Sequence, residues 1–96
     1  MNEKRRHFLE DIERYWHCEG RDSESGVDLL AALRHHRHPI NEVEFMSFLA
    51  DAILNSTISV EKYLEITGAE FDDSIGVAND LRTLWILMIG NRELIS

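Results

Sequence analysis

Three histidines fall within four positions, His35, His36 and His38, and another, His17, stands beside the single cysteine, Cys18. Imidazole nitrogen and thiolate sulfur are zinc ligands, taken four at a time in a tetrahedral set. His35 and His38 are three apart, so they share a face and can reach one ion if their helix runs on to Pro39. Any further ligand has to come from His17, Cys18 or a nearby carboxylate. The spacing matches no zinc signature, with no second cysteine and no His-Glu-x-x-His. The segment Arg34-His35-His36-Arg37-His38 reads better as a solvated cationic helix end, whose charge complements the C-terminal dipole. That simpler reading assigns no metal ligand and no cofactor.

The same segment, with Lys4-Arg5-Arg6-His7, makes two basic clusters of the kind that hold phosphates. Both are short, acids adjoin each, and the chain as a whole carries a net charge of −8. Nucleic acid is therefore not the expected partner. The alternative is a helix-turn-helix DNA-binding regulator over 60–82, with Gly68 in the turn. Its second helix would enter the groove behind Glu70, Asp72 and Asp73, where base edges and phosphates call for Arg, Lys, Asn or Gln. Enzyme chemistry has less to build on. No Gly-x-Ser-x-Gly and no phosphate-cradling glycine loop occur. Cys18 beside His17 is not a dyad by adjacency, because neighbours on a helix point in different directions. No catalytic residue is assigned, and the expected function is non-enzymatic.

What the sequence offers instead is acid. Residues 39–96 carry ten carboxylates against Lys62, Arg82 and Arg92, whereas residues 1–38 are nearly balanced. Glu61, Glu65, Glu70, Asp72 and Asp73 form the candidate partner-binding surface, with Asp80 following them. Such a surface suits a basic protein and speeds its approach. In size, charge and helical content the chain resembles the small nuclease-inhibiting immunity proteins of bacteria, with no motif to align, and it resembles small acidic regulators as much. The expectation is a protein–protein interaction domain of inhibitor, immunity or anti-repressor type. A homodimeric adaptor is the further alternative.

The elements that position these residues follow from periodicity. With 96 residues, one proline and five glycines, the chain suits one all-α domain over 1–96, a compact bundle of four to five short helices. The spacing predicts helices at approximately 3–18, 25–37, 42–55, 60–66 and 73–89, with 91–96 a tail free to fray. Phe8, Leu9, Ile12, Tyr15 and Trp16 give the first its apolar face, and Leu29, Leu30 and Leu33 the second, capped by Ser23 or Ser25. Pro39 stops the second near His38. Asn41 and Glu44 have capping-box spacing ahead of Phe45, Phe48, Leu49, Ala52 and Ile53. Ser59 caps the short fourth helix and Gly68 closes it; Asp72 or Asp73 starts the last. The lone Cys18, the missing apolar leader and the absence of a long apolar run predict a cytoplasmic chain with no membrane partner.

The last helix ends in an uninterrupted apolar run, Leu84 to Ile89. Val77, Ala78, Leu81, Leu84, Trp85 and Met88 align as one stripe and are assigned to the core. Ile75, Ile86, Leu87 and Ile89 are left over, with Leu87 towards the polar side. Those four are the candidate homodimer interface, with Ile86 and Ile89 expected to pack either on a second copy or on the first helix.

Overall fold

The computed structural model describes residues 3–22 and 24–90. Among these residues five helices follow one another: α1 (Glu3–Tyr15), α2 (Ser25–Leu33), α3 (Glu42–Asn55), α4 (Val60–Thr67) and α5 (Ser74–Ile89). No strand occurs among the described residues, so the all-α bundle is the architecture. None of the described helices is long and apolar enough to cross a membrane.

Three helix starts are set by their own residues. Asn41 accepts from the Glu44 backbone N–H at 2.8 Å while Glu44 accepts from the Asn41 N–H at 3.1 Å, a complete capping box opening α3. Ser59 accepts from Lys62 N–H at 3.0 Å, and Asp73 from Gly76 N–H at 3.1 Å, satisfying amide groups otherwise left over at the starts of α4 and α5. Gly68 ends α4 with φ at +76°, a left-handed conformation that a Cβ disfavours.

The helices enclose one core. α5 lies centrally, packed chiefly on α2 and α3, while α1 packs on α4, α2 and α3. Val77, Leu81, Leu84, Trp85 and Met88 are buried as one stripe of α5. They meet Phe8, Ile12 and Trp16 of α1, Leu29 and Leu33 of α2, and Phe45, Leu49 and Ile53 of α3 in a single cluster. Phe8 sits between two rings, edge-on to Phe45 at 5.1 Å and stacked on Phe48 at 5.4 Å. The connections contribute too, since Ile40 and Ile58 are fully buried.

The structure corrects the sequence reading in four places. α1 ends at Tyr15 rather than residue 18, because the Cys18 N–H leaves the helix and bonds the Thr67 carbonyl at 2.7 Å. α2 ends at Leu33 rather than 37. Beyond it the bonds shorten to three-residue turns, from His35 N–H to Ala32 and from His38 N–H to His35, which brings Ile40 into the core. Ser25 does not cap α2: the cap residue is Glu24, and Ser25 Oγ accepts from Asp22 N–H at 3.0 Å; the other expected cap, Ser23, lies outside the described residues. Leu87 does not face the polar side. It is half-buried where α2 comes closest, and a Cβ on Gly26 would lie 2.7 Å from the Leu87 backbone carbon. The tail 91–96 lies outside the described residues.

Candidate protein-binding surface

Glu61, Glu65, Glu70, Asp72 and Asp73 are all exposed. α4 carries Glu61 and Glu65 one turn apart on its outer face, because Tyr63, Ile66 and Thr67 claim its inner one. The connection 68–73 carries the other three. Two have local tasks: Asp73 caps α5, and Glu65 faces Lys62 at 3.5 Å. Glu61, Glu70 and Asp72 meet no basic group within ion-pair distance among the described residues. Apolar side chains stand among the acids, since Leu64 on α4 is 41% exposed and Ile75 in the first turn of α5 is 67% exposed.

Asp80 does not belong to this surface. Arg21 Nη1 donates to its Oδ1 at 2.7 Å and the Tyr63 hydroxyl to its Oδ2 at 2.5 Å, tying the α1–α2 connection and α4 to α5. The same guanidinium lies 3.9 Å from the centre of the Trp16 ring and donates to the Trp16 carbonyl at 2.8 Å. Burial, and then the hydrogen bond to Asp80, push the Tyr63 hydroxyl far above the ordinary tyrosine range.

The basic residues are largely consumed by neighbours. Lys4 pairs with Glu44, Arg6 with Glu3 at 3.2 Å, and Arg34 with Glu42 at 2.7 Å. Lys4, with the Asn41 N–H, holds the Glu44 carboxyl below its usual value. His38 Nε2 lies 2.9 Å from Asp11 Oδ2, with side chains only 12% and 7% exposed. Burial raises the Asp11 carboxyl above its ordinary value, with His38 drawing it back. His35 and His38 share no helix face, because α2 has ended before either. Among the described residues no three His, Cys, Asp or Glu side chains gather as a metal site. Cys18 is exposed, its sulfur beside Gly68.

The four leftover residues of α5 fall into two pairs. Ile75 is 67% and Ile86 49% exposed, whereas Leu87 and Ile89 pack partly against the core. The α4–α5 connection, residues 68–73, is longer than the helix-turn-helix turn of about 3–4 residues. On the exposed side of α5, Ile75, Asn79, Arg82, Thr83 and Ile86 include a single base. No protein-family model, no curated protein and no solved structure matches the chain.

Proposed function

We propose that the protein is a non-enzymatic binding domain whose acidic surface, Glu61, Glu65, Glu70, Asp72 and Asp73, docks on a basic protein and inhibits or modulates it. One observation carries this reading: the bases Lys4, Arg6, Arg21 and Arg34 are neutralised by carboxylates of the same molecule, while the acids of residues 60–73 face only Lys62. Between residues 60 and 73 five acids stand against one base, Lys62. Leu64 and Ile75 add apolar area, and interfaces commonly set an apolar centre within a polar rim. The test is paired capture from host extract with wild type and a Glu65→Lys, Glu70→Lys, Asp72→Lys variant. A basic protein retained by wild type and released by the variant and by salt supports the reading; identical captures refute it.

A second reading draws on Ile75 and Ile86, eleven residues apart and so nearly in line after three turns of α5. In it, two copies associate through that face. Sedimentation of wild type as a dimer and of an Ile75→Glu, Ile86→Glu variant as a folded monomer supports it. A monomeric wild type at high concentration removes it.

A further inference from the structure

The connection between α2 and α3 borders an open cleft of about 450 Å³ lined by Ala31, Ala32, His35, Arg37, His38 and Pro39. In a chain of net charge −8, this lining holds no carboxylate. The groups around it are already committed. Arg34 is taken by Glu42 of α3, His7 by Glu10 at 3.1 Å, and His38 by Asp11, leaving Arg14 as the remaining cation of the neighbouring α1 face. The Arg37 guanidinium makes no ion pair among the described residues.

Local bonds orient the imidazoles. The Arg37 backbone N–H donates to His35 Nδ1 at 3.2 Å, so a neutral His35 carries its proton on Nε2 and keeps that donor for a ligand. His36 stacks on His35 with ring centres 4.8 Å apart and planes 18° from parallel.

We propose that this cleft binds a phosphate-bearing small molecule, its oxyanion on Arg37 and His35 and its apolar part on Ala31, Ala32 and Pro39. A phosphate presents three terminal oxygens, enough to engage the guanidinium fork and the imidazole N–H together.

The test is an NMR titration of the full chain with inorganic phosphate and with phenyl phosphate, followed at the backbone amides of 31–39. Saturable shifts confined to this segment are expected, with phenyl phosphate binding more tightly than inorganic phosphate. Arg37→Ala should weaken binding about tenfold, the scale of one charge-assisted hydrogen bond. His35→Ala, which removes the Nε2 donor, should weaken binding as well, and Arg82→Ala on α5 should change nothing. Non-saturating shifts, equal affinity for the two phosphates, or an equal loss in Arg82→Ala would overturn the proposal.

Discussion

Gly26→Ala should destabilise the protein, although alanine is the better helix former. In an exposed helix interior the exchange favours alanine by roughly 1 kcal/mol. Here the added Cβ would stand 2.7 Å from the Leu87 backbone carbon and Cβ and 2.8 Å from its carbonyl oxygen. Ordinary carbon contacts are about 3.5–4.0 Å, so α2 and α5 must part by close to 1 Å. The obstacle is mostly backbone of the central helix, which cannot turn aside as a side chain does. Overpacking costs about 1–3 kcal/mol, and an obstacle made of backbone puts this case in the upper half, about 2–3 kcal/mol, so after the propensity gain of roughly 1 kcal/mol a net loss of about 1–2 kcal/mol remains. In a domain of this size each kcal/mol lowers Tm by roughly 4–8 °C. Urea unfolding followed by circular dichroism is the assay, with a lower midpoint at unchanged slope expected. Gly20→Ala is the control, since nothing lies within 4 Å of its added Cβ. A Gly26→Ala protein as stable as wild type, or more so, would refute the close approach of α2 to α5.

Asp80→Ala should cost about 3 kcal/mol, because it strands a partly buried Arg21 guanidinium and removes the acceptor of the Tyr63 hydroxyl; a loss below about 0.5 kcal/mol in urea unfolding would contradict the linkage of α4 and α5 through this carboxylate. Tyr63, raised in the folded state, stabilises the protein below the ordinary tyrosine pKa of about 10, and this contribution is lost as pH rises towards the folded value. Its ultraviolet titration should therefore coincide with alkaline unfolding rather than precede it. Asp11 is raised as well, so the folded state holds that proton more tightly, a stabilisation present at acid pH and lost as pH rises through the folded value. Asp11→Asn removes it. The variant's stability should then fall more steeply than that of wild type between about pH 6 and about pH 3, and an equal or shallower fall would contradict the buried setting of Asp11.

What the sequence disclosed was local. The Asn41–Glu44 box, the Ser59 and Asp73 caps and the Gly68 stop need only residues within a turn of one another, and all four stand where their spacing placed them. The α5 stripe was equally legible, because burial of one helix face repeats every three or four residues. The hidden features join distant parts of the chain. Nothing near Tyr15 announces that Cys18 will bond Thr67, and nothing near Leu33 announces that His38 will turn towards Asp11. Asp80 looked like one more acid in a run, and its partner Arg21 lies 59 positions earlier. Leu87 followed helical geometry, but Gly26 lets a second helix cover what one helix alone would expose. The five acids are near neighbours in sequence and all are exposed, and for Glu61 and Glu65 the exposure follows from the inner face of α4 being claimed by Tyr63, Ile66 and Thr67.

The most direct measurement is the association rate of the captured basic partner with wild type and with the Glu65→Lys, Glu70→Lys, Asp72→Lys variant, by stopped flow across a range of salt. If the acids of α4 and the 68–73 connection steer docking, wild type should associate at least about tenfold faster than the variant at low ionic strength. The two rates should converge as added salt shortens the screening length below about 8 Å. Equal rates and equal salt dependence, with the variant folded, would contradict the acidic surface as the docking site.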